Sequence, residues 1–389
     1  MGIKRSMKAT ALSVAALGTA LVLSACGTSS GGDSGKMLGA LGTTEGQVNL
    51  LIWPGYAEDG TNDPAVDWVT PFEKATNCKV NAKTFGTSDE AVSLMKTGDY
   101  DLVSASGDAT LRLIAGGEVA PVNLDLIPNY ANVYDFLKDR QWNTVDGQSY
   151  GVPHGYGANL LAYNTDVVSP APTSWDLVFD AKSPFAGKVS AYDSPIYIAD
   201  AAVYLMAHNP ELKITNPYAL DDTQLAAAVD LLKGQRANVG EYWSDYLKAI
   251  DALNSGTTVA STTWQVIMNY LDATTPVKAV LPSEGATGWS DTWMISSKSA
   301  NPNCAYAWMN YIISPEANGA ATGYFGEAPA TAKACDFRED CAAFNAGDKA
   351  FSDKIWYWTT PVATCLDGRT DVTCTDYSQW TAAWQEIKG

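Results

Sequence analysis

Val48-Asn-Leu-Leu-Ile-Trp53, followed by Pro54-Gly55-Tyr56, is the stretch on which the fold turns. Its apolar, β-favouring residues predict a buried strand, and the Pro-Gly pair stops that strand and opens a loop. Working outward, Asp67 to Ala75 carries Val69, Phe72 and Ala75 at helical spacing, and Lys79 to Phe85 alternates as a second strand. Ser88 to Thr97 predicts a helix with Ser88 as its cap, Asp101 to Ser106 a third strand, and Leu111 to Gly116 a helix closed by two glycines. Strands and helices in this alternation define an α/β layered sheet.

The same rhythm returns further on. Leu160 to Tyr163, Lys188 to Tyr192, Thr258 to Thr263, Pro276 to Leu281 and Trp293 to Ser296 read as strands. Helices are expected at 174–179, 198–207, 222–236, 242–255 and 305–313, followed by a tail rich in Cys and Trp. No long linker separates the two halves. Two α/β lobes without a linker imply that more than one strand crosses between them.

The composition narrows the functional classes. Hydrophobic residues make up 46% of 389 and charged residues 17%, which is a globular balance. A net charge of −18 repels phosphate backbones and argues against nucleic acid as partner. Two histidines, His154 and His208, supply neither a multi-His metal site nor an evident triad. G-x-S-x-G and H-E-x-x-H are both missing, so an exported hydrolase would have to be of the paired-carboxylate kind. A ferric site needs clustered tyrosines, and no adjacent Tyr pair occurs. The chain calls for no cofactor.

The N-terminus reads as an export signal. Lys4, Arg5 and Lys8 precede the apolar run Ala9 to Leu23, which at about 15 residues is too short to span a bilayer. Leu23-Ser-Ala-Cys26 then resembles a bacterial lipobox, implying cleavage before Cys26 and diacylglycerol on its sulfur. Residues 27–47 are rich in Gly, Ser and Thr and are expected to be a flexible tether. The expectation is an exported, monomeric protein held at the outer membrane face by lipid. The six remaining cysteines suit disulfides in that compartment. Cys335–Cys341 and Cys365–Cys374 are favoured because both are local, which leaves Cys78–Cys304. Zinc is disfavoured, because no CxxC spacing occurs and no histidine is nearby.

Several strands end in aromatic or acidic residues followed by Gly, Pro or Ser: Trp53 to Tyr56, Ser106 to Asp108, Asp193 to Tyr197, Trp264, and Trp289 to Asp291. Loops at strand ends of α/β sheets converge on ligand clefts. Aromatic faces with carboxylates suit an organic cation, the rings attracting its charge and the carboxylates pairing with its ammonium.

With these residues in view, the chain resembles the lipid-anchored substrate-binding proteins of ABC importers, in particular the spermidine/putrescine-binding proteins. The resemblance is carried by Leu51-Ile-Trp53 with Tyr56, Tyr100-Asp-Leu-Val103, Gly151-Val-Pro153, Ser174-Trp-Asp-Leu177, Phe185-Ala-Gly-Lys188, Pro282-Ser-Glu-Gly285 and Trp289-Ser-Asp291, in order over most of 48–330. It implies a type II periplasmic-binding-protein fold, two α/β lobes joined by two hinge crossings near 151–160 and 281–292. On that reading residues 48–153 and 285–389 form lobe 1, and 154–284 form lobe 2. The implied partners are a small cationic solute and a membrane permease, with no chemical conversion of the solute.

Carried over by residue, the resemblance implies an aromatic pair at Trp53 and Tyr56 and a serine loop at Ser106. Asp108 stands where the family often has an aromatic. A wall tryptophan falls on Trp264, the Trp-x-Asp on Trp289 and Asp291, and a tail tyrosine on Tyr324. Asp291 would bind an amine. The family's acidic pair aligns near Ser194 and Tyr197, where Asp193 can replace one carboxylate and the second is missing. A long polyamine is therefore expected to bind less well, leaving a shorter monocation, 4-aminobutyrate or a betaine as alternatives. His154 is read as structural.

Overall fold

The computed structural model describes residues 36–389. The export segment, Cys26 and the start of the tether lie outside the described residues.

Strand β1 (Gln47–Ile52) lies between β2 (Lys79–Thr84) and β3 (Leu102–Ala105), parallel to both. Parallel neighbours need crossovers, supplied by α1 (Val69–Thr76) and α2 (Ser88–Met95), and α3 (Gly107–Ala115) leaves the third strand. Leu50, Leu51 and Ile52 are all buried, which is why that run lacks a polar face. The long strand β4 (Val152–Asn164) follows. Next, β5 (Val189–Tyr192) lies between β6 (Val239–Trp243) and β7 (Ala260–Trp264), again parallel to both. Helices α4 (Ile198–His208), α5 (Asp222–Gln235) and α6 (Tyr246–Asn254) connect them. β8 (Val277–Val280) pairs with β4, and β9 (Ala286–Ile295) pairs with both β3 and β4. The strand order is β2-β1-β3-β9-β4-β7-β5-β6. Two three-strand parallel sets are thus bridged by the antiparallel pair β4 and β9.

Those bridging strands are longer than the sequence pattern indicated, because Gly155, Gly157 and Gly288 interrupt its apolar alternation. The glycines make room. A Cβ at Gly157 would run into the Trp289 ring, and one at Gly155 into the Glu327 carboxylate. The register slips between Asp291 and Thr292, whose partners are Gly155 and Pro153, so His154 is the extra residue of a bulge. Pro153 is tolerated in the strand at that point.

Other differences have local causes. The expected 242–255 helix is divided, since Val239–Trp243 pairs with β5 and Asp245 accepts from Leu247 N at 3.0 Å to start α6. Thr87, not Ser88, caps α2. Helix α7 (Pro302–Ile312) is followed by α8 (Pro315–Phe325), which the sequence reading lacked. Part of the tether is fastened: the Leu38 carbonyl accepts from Asn123 Nδ2 at 3.1 Å, and Glu45 accepts from the N–H groups of Asn303 and Cys304 at 3.1 and 2.9 Å.

After α8, β10 (Ala328–Pro329) pairs with β4 and β11 (Ile355–Tyr357) with β9. The chain is then tied to the N-terminal end of α3 by Thr360 N to Gly107 O at 2.9 Å, and to Leu220 O by Thr375 N at 2.8 Å. Helix α9 (Tyr377–Lys388) ends the chain. It was expected with lobe 1, yet it packs against α5 and the turn at Pro195–Tyr197. The three expected disulfides are formed: Cys78–Cys304, Cys335–Cys341 and Cys365–Cys374.

Candidate functional site

The strand ends meet around one carboxylate. Asp291, on β9, is 3% exposed. The Ser106 hydroxyl donates to its Oδ1 at 2.6 Å and accepts from Trp53 Nε1 at 3.2 Å. The Tyr56 hydroxyl donates to Asp291 Oδ2 at 2.7 Å. Gly55 makes this approach possible with φ of 91°, a conformation that costs glycine little. Burial pushes the Asp291 carboxyl up to about 7, against the lowering effect of the Ser106 and Tyr56 hydrogen bonds.

Aromatic rings wall the space in front of Asp291. Trp53, Trp264, Trp289 and Trp358 line it together with Tyr246 and Phe325. Trp264 is central: its ring lies 6.2 Å from Trp53, 6.2 Å from Trp289 and 6.1 Å from Trp358. The cavity is small, about 20 Å³, which admits a water-sized group. A larger guest requires the walls to separate. Among the described residues, the lining contains no Lys, Arg or His.

A second carboxylate stands behind the wall. Glu327 is fully buried, and its Oε2 accepts from Trp289 Nε1 at 2.8 Å. It reaches its place because α8 ends at Gly326, whose φ of 94° turns the chain, with Glu327 N bonded to Thr322 O at 3.0 Å. The Tyr56 oxygen lies 3.4 Å from Glu327 Oε2. His154 Nε2 is 3.7 Å from Glu327 Oε1, too far for a hydrogen bond, and neither atom has another partner among the described residues. Trp293 Nε1 donates to His154 Nδ1 at 3.1 Å, and burial holds the imidazole down to about 3, so the ring is neutral with its proton on Nε2. Burial first, and then the Asp291 charge, raise Glu327 well above the usual carboxylate range.

Of the residues expected at the site, Trp53, Ser106, Trp264, Trp289 and Asp291 line one cavity, and Tyr56 braces Asp291 from behind. Four stand apart. Asp193 accepts from Trp384 Nε1 at 2.9 Å and Lys388 Nζ at 2.7 Å, which ties it to α9. Tyr197 is a core residue, its hydroxyl accepting from Gln235 Nε2 at 3.0 Å. Asp108 is buried and accepts from Ser88 Oγ at 2.8 Å, and burial pushes it up to about 6. Tyr324 lies against Trp68 with ring centroids 5.9 Å apart. Sequence reasoning missed Tyr246, Phe325, Glu327 and Trp358. For Phe325 and Glu327 the available signal was the end of a helix at Gly326.

An α/β sheet bridged by two long strands, with a caged carboxylate at converging strand ends, defines a solute-binding protein of the type II periplasmic-binding-protein fold. Residues 67–350 match the bacterial extracellular solute-binding protein family, and the chain belongs to that family. The putrescine-binding periplasmic protein SpuD of Pseudomonas aeruginosa (strain UCBPP-PA14) is 27% identical over 270 residues, which cover 65% of this chain and 71% of the relative. The putrescine-binding periplasmic protein PotF of Escherichia coli (strain K12) is 24% identical over 297 residues, covering 72% and 76%. Among solved structures, the spermidine/putrescine ABC transporter substrate-binding protein PotD from Streptococcus pneumoniae aligns with a TM-score of 0.66 at 17% identity, over 88% of this chain and 97% of that one. The exported-hydrolase reading finds no support in these relatives. Among the described residues, no helix is long and apolar enough to cross a membrane.

Proposed function

We propose that this chain is the substrate-binding component of an ABC importer and captures a polyamine or similar small organic cation without altering it. One observation carries the reading: Asp291 accepts two hydroxyl donors at the floor of a cage of four indoles. Such a cage attracts positive charge with its ring faces and pairs it with the carboxylate. Capture proceeds by closure of two lobes, whose division falls at β4 and β9. Residues 48–153 and the segment from 285 to β11 form one lobe, and 154–284 with α9 form the other. The packing of α9 on α5 supports that modified boundary. The partner is a membrane permease, and lipid on Cys26 would keep the monomer beside it.

Thermal-shift and calorimetric titration of the purified protein with putrescine, spermidine, simple monoamines and neutral sugars test the proposal. A ligand at about 100 times its dissociation constant stabilises by roughly 2.7 kcal/mol. A response to sugars and to none of the cations would refute it.

A further inference from the structure

Tyr56 has one hydroxyl hydrogen and two carboxylate neighbours among the described residues, Asp291 Oδ2 at 2.7 Å and Glu327 Oε2 at 3.4 Å. It cannot donate to both. The shorter contact takes the hydrogen. At 3.4 Å the longer contact is a close approach of two oxygens, and with the hydrogen pointing at Asp291 the donor to Glu327 Oε2 is the Trp289 N–H. Two buried carboxylates this close to one hydroxyl do not ionise together, and Asp291, with two hydroxyl donors against one indole N–H for Glu327, is the better stabilised anion. The other groups facing Glu327 allow its neutral form. Trp289 Nε1 donates to its Oε2, His154 is neutral, and the Arg338 guanidinium bonds the Glu327 backbone carbonyl at 2.8 Å and Thr322 Oγ1 at 3.0 Å rather than the carboxyl group.

We infer that Glu327 is held as a neutral acid beside an ionised Asp291, so that the cage presents one negative charge and selects an organic cation with a single positive charge and no carboxylate. The inference rests on the functional reading above and narrows its ligand class. Among the described residues, Asp291 is the one carboxylate that lines the cavity. Asp193, the other expected partner for an ammonium, is committed to Lys388 and Trp384. Asp108 is buried and does not line the cavity. A diamine would therefore leave its second ammonium desolvated without a counter-charge, at a large cost. A zwitterion would leave its carboxylate likewise, because the described lining carries no cation.

The test is calorimetry of the intact protein with n-butylammonium, putrescine and 4-aminobutyrate, which share a four-carbon chain and differ in the second end group. The expected order places n-butylammonium roughly tenfold or more tighter than the other two. Glu327→Gln, which keeps a neutral polar group there, is expected to preserve that order of affinities, with its melting temperature as the folding control. Tighter binding of putrescine, lost in Glu327→Gln, would show that Glu327 is a second ionised partner and overturn the inference while leaving the functional reading intact. Tighter binding of 4-aminobutyrate would also overturn it. Failure of every cation, polyamines included, would remove the functional reading and this inference with it.

Discussion

The Ser106 hydroxyl is 2.6 Å from Asp291 Oδ1, joining residues 185 positions apart in the chain. It receives the Trp53 indole N–H at the same time, so a wall of the cage and its charged floor are set by one serine. Asp291→Asn is expected to weaken cation binding by about a hundredfold or more, on the order of 3 kcal/mol, with the fold retained. Ser106→Ala removes one donor and is expected to cost about 1 kcal/mol. Calorimetry beside circular dichroism checks both, and full-strength binding by the Asp291→Asn variant would remove Asp291 from the site.

Affinity is expected to depend on pH with a defined sign. Burial sets the Asp291 carboxyl at about 7 before a cation arrives, and a cation favours its ionised form. Below that value binding must expel a proton, so affinity falls about tenfold per pH unit, and above it affinity is level. Tyr56, Ser106, Glu327 and Asp108 are the groups whose influence Asp291 feels. Titrations from roughly two pH units below that value to about one above it check the sign, and a flat profile would show Asp291 ionised throughout.

Asp193→Ala is expected to leave binding unchanged and to lower the melting temperature. Its carboxylate holds the end of α9 through Lys388 and Trp384, at a partly exposed position where such pairs contribute about 1 kcal/mol or less. A marked loss of affinity in this variant would return Asp193 to the cleft.

Two other buried carboxyl groups bear on stability. Asp200, whose Oδ1 accepts from Thr287 Oγ1 at 2.9 Å, is pushed up to about 7 by burial, and Asp108 to about 6. Their unfolded values lie near ~3.9, so the folded state binds more protons in between. Their contribution is complete below the unfolded value and is lost as pH rises through the folded one, at about 1.4 kcal/mol per pH unit for each group. Melting temperatures should be higher near about pH 5 than near about pH 8, and Asp200→Asn should flatten the difference. A slope of the opposite sign would contradict the buried, protonated state.

Cys78–Cys304 closes a separation of 226 residues, whereas Cys335–Cys341 closes 6. Loop-closure entropy assigns about 5 kcal/mol to the first and about 2 kcal/mol to the second. Replacing both members of each pair by serine and comparing chemical denaturation should reproduce that order.

Much of the frame was legible because apolar runs and helical spacings are local signals. Leu50 to Ile52 announced a buried strand without any partner in view. Half of the candidate site was legible for the same reason, since Trp53, Ser106 and Trp264 lie at or beside strand ends, whereas Asp291, expected just before a strand, sits within β9. Asp193 misled because the groups that occupy it, Trp384 and Lys388, are 191 and 195 residues away and leave no local mark. Glu327 escaped because its burial depends on Gly155, a residue that reads only as a weak point in a strand. The Tyr242 to Ser255 region was misread because β-pairing at an edge, together with the Asp245 cap, outweighed its apparent helical run.

The family match ends at residue 350, and Trp358 follows it. One indole of the proposed cage therefore comes from beyond the family match, on a segment tied to Gly107 on one side and to Leu220 on the other. Exchanging that segment offers a way to retune what the proposed cage prefers.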